Sequence, residues 1–320
     1  MSPVLKLILR RVGLAFLTLA LVSILVFVAT QALPGDAARM ILGKEATPDA
    51  IAALRSKLHL DQSLPAQYGH WIAGIIHFDP GRSLASGEPV TSMLSTRVLN
   101  SAFLVVVSAL IAIPISLALG VFTAVRRDRA SDTIISTVSL VLAALPEFVI
   151  GIGLVLLFAT AVLQVLPAVS LVDGDGGVWT QPNLVILPAA TLVLSVTPYI
   201  SRIMRGSMIE VLESDYVQMA RLKGMSRRTV LLRHAVPNAL VPAIQVSALQ
   251  LAWMAGGVVT VEFVFSFPGI GSALVDAVAK RDIVVVQAIT LLVAAVYVVL
   301  NLVADLLSLM VTPKVRTALR

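Results

Sequence analysis

Six stretches of this chain run for twenty residues or more with at most one charged side chain. A helix crossing about 30 Å of hydrocarbon at 1.5 Å per residue needs about 20 such residues. The runs place spans at 12–33, 98–125, 133–167, 184–203, 240–262 and 283–311, the third interrupted only by Glu147. Helix is the form these runs predict, because lipid offers no partner for an unpaired backbone group and the runs are too continuous for alternating barrel strands. The remaining composition agrees. Hydrophobic residues make up 58% of the chain and charged residues 13%, about half the charge of an average soluble domain at roughly 25%. An ordinary soluble enzyme and a disordered chain are both excluded on this balance. The expected fold is an all-α integral membrane protein with six transmembrane helices.

The basic residues set the orientation. If the N-terminus is cytoplasmic, the inside segments 1–11, 126–132, 202–238 and 312–320 hold 16 Lys and Arg, against 8 in the outside segments. The positive-inside rule then puts both termini in the cytoplasm. Lys6, Arg10 and Arg11 before an apolar stretch resemble a signal peptide, but the stretch is long and no small-x-small cleavage site follows it, so an uncleaved first span is expected.

The chain therefore divides into 1–33 (N-terminus and first span), 34–97 (an outer loop), 98–311 (five further spans) and 312–320 (a tail). The outer loop is too long for a connector. Thr47 and Pro48 signal a helix start, with Ile51, Leu54 and Leu58 on one face; Pro65, Pro80, Gly81, Gly87 and Pro89 then break the chain. A small ordered lid is expected there.

Three acids fall in or near spans, where a carboxylate is costly. Glu147 follows Pro146 midway along the third span, and Pro146 is expected to kink that helix. Two roles fit Glu147. With Phe148 it could line a translocation path and meet a substrate amine, or it could hydrogen-bond between helices. Glu262, at the outer end of the fifth span, and Asp305, near the inner end of the sixth, read as interfacial or packing groups.

Between the fourth and fifth spans, segment 205–238 has a pattern of its own. Ser214 is placed to cap a helix, with Asp215 in its first turn; Gly224 ends it, and Ser226 caps a second helix running to Pro237. The first helix presents Tyr216, Met219, Ala220 and Lys223 at helical spacing, a mixed apolar and basic face suited to a groove on a partner. Arg227, Arg228 and Arg233 fit that use and fit topology determination equally.

At this point the sequence resembles the permease subunits of bacterial ABC importers, in particular the dipeptide, oligopeptide and nickel group. That family's cytoplasmic signature has an Ala, a Gly four residues on and a Pro thirteen beyond; here these are Ala220, Gly224 and Pro237. Gln218, Met219 and Val236 depart from it, whereas Tyr216–Val217, Ala220–Arg221, Lys223–Gly224, Val230, His234, Asn238–Ala239–Leu240 and Pro242 are similar to the subgroup's version. Further matches lie at Leu33–Pro34–Gly35–Asp36, Leu60–Asp61, Gln67–Tyr68, Pro146, Phe148, Glu262, Phe265, Pro268–Gly269–Ile270–Gly271 and Arg281–Asp282, and in part at Thr312–Pro313–Lys314. The resemblance implies the type I importer architecture in a bacterial cytoplasmic membrane. It implies a coupling role toward an ATPase for Tyr216, Ala220, Arg221, Lys223, Gly224, Ser226, His234 and Pro237. It also implies a second homologous permease, cytoplasmic ATPase subunits and an extracytoplasmic solute-binding protein as partners, with membrane lipid around the chain and no nucleic acid. Peptide is the commonest cargo of the group; nickel or another small solute is the alternative.

No Gly-x-x-x-x-Gly-Lys-Ser/Thr occurs, and neither Gly43–Lys44–Glu45 nor Lys223–Gly224–Met225 is a phosphate cradle. No cofactor is expected on this chain, with ATP and Mg used by partner subunits. Cysteine is absent, and His59, His70, His77 and His234 do not form a metal-ligand pattern. No catalytic constellation is expected, which leaves a transport subunit. The rival from another class is an ion-coupled secondary transporter using Glu147 and Asp305, a reading that gives the 214–237 hairpin no task.

Overall fold

The computed structural model describes residues 3–31, 47–57, 61–172 and 177–311. Leu33 to Asp36, Gly43 to Glu45, His59, Leu60 and the 312–320 tail with Thr312 to Lys314 lie outside them. Among the described residues the chain is helical: α1 (Pro3–Gln31), α2 (Pro48–Lys57), α3 (Leu64–Ile76), α4 (Val90–Val125), α5 (Ala130–Ala144), α6 (Glu147–Val155), α7 (Asn183–Glu213), α8 (Asp215–Leu222), α9 (Arg227–Val264), α10 (Ile270–Ala279) and α11 (Ile283–Val311). Five of these, α1, α4, α7, α9 and α11, are long and apolar enough to cross a membrane, and the bent α5–α6 pair makes a sixth where it is counted as one span.

The expected third span is broken into two helices, which corrects the expected kink. α5 and the helix from Glu147 to Thr160 meet at 109°. Leu145 is extended (φ −90°, ψ 134°), as a residue before proline must be, and Pro146 is extended too (φ −60°, ψ 148°). The carbonyl of Pro146 then accepts the Val149 amide at 3.0 Å and starts a new helix. Glu147 therefore sits in the first turn of α6 and not inside a continuous span.

Most other spans outrun their charge-free stretches. α4 starts at Val90, eight residues before the expected 98, and α7 continues to Glu213, ten past the expected 203. The apolar run marks only the part of a helix that lipid covers. In the outer loop α2 begins at Pro48 as expected, but Pro65 does not break the chain: it lies in the first turn of α3, where its missing N–H costs nothing.

α7 is the centre of the bundle. It packs on α4, α5, α6 and α9 and is the most buried of the spans. Leu104 from α4, Leu192, Val196 and Ile200 from α7, and Met254 and Val258 from α9 form the main apolar core. α1 lies outside this core against α11. It is held there by the Gln287 side-chain amide donating to Thr30 Oγ1 at 2.6 Å and by Arg11 paired with Asp305 at 2.6 Å. Large side chains that face outward, such as Phe16, Leu25 and Leu110, are apolar, as a lipid-facing surface requires.

At the Gly269 end of the bundle one carboxylate joins three helices. Glu262 is fully buried at the end of α9. It accepts the Ser101 hydroxyl of α4 at 2.5 Å and the Gly271 amide of α10 at 2.6 Å. A side chain at Gly269 would overlap its carboxyl group. Ser101 Oγ in turn accepts the Ile270 amide at 2.9 Å, and Asn100 donates to the Pro268 carbonyl at 2.9 Å. The packing role expected of Glu262 thus has a geometry: it fixes the turn after α9. Nearby, buried Asp282 accepts the Ser83 hydroxyl and the Leu84 and Ala85 amides, tying the outer loop to the start of α11.

Glu262→Ala strands at least two buried donors, and each costs about 1–3 kcal/mol. The expected result is a clearly lower Tm in detergent, with a smaller loss for Glu262→Gln. An unchanged Tm for both would contradict this role.

Candidate coupling hairpin and membrane pocket

The hairpin starts where the sequence places it, by a different cap. Ser214 occupies the N-cap position of α8, but its hydroxyl donates back to the Val211 carbonyl at 2.5 Å and leaves the helix amides alone. Asp215 supplies the acidic first turn, favourable at a helix start. The other end is a Schellman closure. The Met225 amide bonds the Ala220 carbonyl at 3.3 Å and the Gly224 amide bonds the Arg221 carbonyl at 2.9 Å. Gly224 has φ +75°, a conformation that is cheap only without a Cβ.

α9 then begins at Ser226, whose Oγ accepts the Thr229 amide at 3.3 Å. This helix does not end at Pro237 as expected. A π-helical segment, Val230–Ala235, widens the turn ahead of the proline, and the helix runs on to Val264. The Val236 amide reaches back five residues to Leu231, and the Asn238 side-chain amide occupies the His234 carbonyl at 2.7 Å. The π turn ends at Val236 and leaves Pro237 in the first turn of the α-helical stretch Val236–Val264, where a missing N–H is tolerated. The second arm of the hairpin and the membrane span are one helix of 38 residues.

One expected surface residue is misplaced. Ala220 is buried and packs with Val217 and Val230 between the two arms. Leu222, 81% exposed, takes its place on the outer face, beside Tyr216, Met219 and Lys223. An unpartnered leucine at this exposure is the stronger contact signal, and its position just before the Gly turn was the clue in the sequence. Arg221 and Arg227 line a cavity of about 450 Å³ between the hairpin and the ends of α4 and α7. His234 lies in the π segment, and its Nε2 is buried with no hydrogen-bond partner among the described residues.

The second site is at the break between α5 and α6. Glu147 and Phe148 line a pocket of about 400 Å³ together with Ser195 and Tyr199 of α7 and Gln250 and Trp253 of α9. The Glu147 carboxyl group lies so close to Gly257 of α9 that any side chain there would overlap it. Among the described residues Glu147 takes part in no hydrogen bond or ion pair. A hydrogen bond between helices, one of the two roles left open for it, is therefore not made here. Asp305 lies elsewhere, on the α1–α11 contact, so the structure does not bring it together with Glu147.

One ion pair was not foreseen. Arg205 of α7 holds Asp132 of α5 through two bonds, Nε to Oδ1 at 2.8 Å and Nη2 to Oδ2 at 2.7 Å. Asp132 also accepts the Asp128 amide at 3.2 Å. Both residues sit just past the charge-free runs, where they read as ordinary loop charges. Beside them Arg127 pairs with Glu213 at 2.5 Å.

A bundle of five apolar crossings, six where the bent α5–α6 pair is taken as one span, with a helical hairpin continuous with one of them, is the structure of a multi-pass membrane protein. Comparison with known proteins makes the class specific. Residues 116–317 match the family described as the binding-protein-dependent transport system inner membrane component, and residues 4–119 match its N-terminal component. The chain belongs to that family, as a permease of the peptide type of ABC transporter in the cytoplasmic membrane. It is 36% identical over 309 residues to a protein of Sinorhizobium fredii named "Probable peptide ABC transporter permease protein", covering 97% of this chain and 98% of the relative. It is 37% identical over 299 residues to the glutathione transport system permease protein of Salmonella choleraesuis, covering 93% and 95%. The corresponding glutathione permease of Shigella flexneri is 36% identical over the same length and coverage.

The Asp132–Arg205 pair is a hydrogen-bonded ion pair with a buried acid. Asp132→Ala and Arg205→Ala are each expected to cost about 1.5–3 kcal/mol of stability, and the double variant no more than the worse single one. Unfolding in detergent checks this; additive losses would mean that the two residues act independently.

Proposed function

We propose that the chain forms half of an ATP-driven import channel for peptides, paired with a second permease of the same kind. Its 214–237 hairpin lies in the cytoplasm, along with both termini, and docks on an ATPase subunit. A solute-binding protein delivers cargo at the opposite face. The continuity of α9 carries this reading: a groove that grips α8 and moves it also moves a 38-residue helix, whose membrane half packs on the central α7. Rigid-body shifts of this kind are the usual means by which a switch at one end of a bundle reaches the other. The concentration of Lys and Arg in the segments assigned to the cytoplasm supports the orientation.

No phosphate cradle occurs in the sequence, so ATP and its Mg²⁺ are assigned to the partner. This chain performs no covalent chemistry. It presents the outer face of Tyr216, Met219, Leu222 and Lys223 to the motor, and Arg221 and Arg227 complement acidic groups near it. The names of the relatives point to peptides and glutathione as cargo. Such solutes carry an ammonium and carboxylates on a short polar backbone.

The test is reconstitution with the ATPase and binding-protein subunits in vesicles. Peptide uptake is expected only when ATP is present on the hairpin side. Gly224→Val, which forces a β-branched residue to φ +75°, is expected to cut uptake at least about tenfold while leaving membrane insertion intact; strain of 1–2 kcal/mol at the turn is enough to misplace α8. Uptake at the parent rate in this variant, or uptake driven by an ion gradient without the motor, would overturn the proposal.

A further inference from the structure

The Glu147 pocket has a chemistry that the proposed function leaves unused. A carboxyl group within a membrane span is expensive unless something compensates it; here the start of α6 does so only in part, and no described residue makes a hydrogen bond or ion pair with it. The group is nevertheless built in. The Pro146 break aims it across the bundle, and bare Gly257 gives it a seat against α9. The space in front of it is lined by the rings of Tyr199 and Trp253 and by the side chains of Ser195, Gln250 and Thr260. Trp253 is 65% exposed and Tyr199 46% exposed, so both keep open surface. The Tyr199 hydroxyl is anchored to the Ala143 carbonyl at 3.2 Å.

One carboxylate, two aromatic rings and several neutral hydrogen-bonding groups select a cation of modest size. Aromatic faces attract an ammonium through their quadrupole, and a carboxylate adds full charge at short range. An anion finds no basic side chain among the lining residues, and a purely apolar solute would leave the acid uncompensated. At about 400 Å³ the pocket suits a group of one or two residues and not a folded segment.

We propose that this pocket is a cation-selective station on the translocation path that receives the ammonium group of the solute in transit, with Glu147 as its counter-charge. The assignment rests on the peptide reading above for its cargo, but the cation preference of the pocket stands on the geometry alone. Tyr199 and Trp253 hold the ammonium against the carboxylate; Gln250, Ser195 and Thr260 bond the adjoining amide.

Because the chain has no cysteine, a single one reports cleanly. Gln250→Cys is placed in the assembled transporter, with cysteine-free partners, and labelled with methanethiosulfonate reagents bearing ethylammonium or ethylsulfonate. The ratio of the two labelling rates is compared with and without Glu147. It is expected to favour the cation and to fall about tenfold in Glu147→Gln, the effect of losing one unit charge a few ångströms away, while Glu147→Asp keeps most of the preference. Trialanine is expected to slow the cationic reagent when Glu147 is present and its N-acetyl form to do so much less. A ratio unchanged by Glu147→Gln would overturn the proposal. So would a cysteine that reacts in the isolated subunit and is shielded in the assembly with or without trialanine, since the second permease would then fill the pocket. Cation-selective labelling in an assembly that moves no peptide would leave the pocket standing and remove the peptide reading instead.

Discussion

The helix that begins at Ser226 continues without a break to Val264, and the account of this protein depends on that continuity. A proline at position 237 should end such a helix. It does not, because the π segment before it widens the turn and leaves Pro237 in the first turn of the α-helical stretch that follows. Without that repair the hairpin would hang on a flexible joint and a pull on α8 would be lost there. With it, the second arm of the hairpin and the span form one helix of 38 residues, about 57 Å at 1.5 Å per residue, along which a pull on the hairpin would be carried. π segments inside α-helices are frequently found at functional positions, and this one lies where the hairpin enters the bundle.

The far end of the rod is fixed as firmly. Glu262 binds the end of α9 to α4 and to the turn into α10, and Asp282 carries the connection on to the outer loop. The Gly269 end therefore behaves as a packed unit with a buried polar network. The middle is different. The break at Leu145–Pro146 leaves α5 and α6 at a steep angle, and the pocket that opens there is lined by α7 and α9 as well. Motion of α9 relative to α7 would change the shape of this pocket directly. The Asp132–Arg205 pair ties α5 to α7 near the hairpin end and so limits motion between those two helices.

Much of this was legible in the sequence, and the omissions have physical causes. Charge-free runs locate the lipid-crossing part of each helix because lipid excludes charge, but they say nothing about where the helix stops in water; α4 and α7 both extend well past their runs. Gly224 was readable because only glycine is cheap in its conformation. Ala220 was misread because a short helix with exposed neighbours hides which face meets the second arm. Pro237 was misread because a single proline is ambiguous between a stop and a repaired turn, and the repair lies in backbone geometry. Pro146 signals a disturbance but not its angle. Arg205 and Asp132 are 73 positions apart, and no local pattern pairs them.

The rigidity of α9 is the claim on which the rest stands, and a pair of spin labels measures it. Leu232 and Leu249 are both exposed on this helix, on either side of Pro237, about 25 Å apart by helical rise. Labels at these two sites in the assembled transporter are expected to keep one distance with and without trapped ATP, while a pair joining Leu232 to Ile134 of α5 changes its distance. A shift in the Leu232–Leu249 distance between the two states would show that the helix yields at Pro237 or at Pro242 inside it, and would contradict the account.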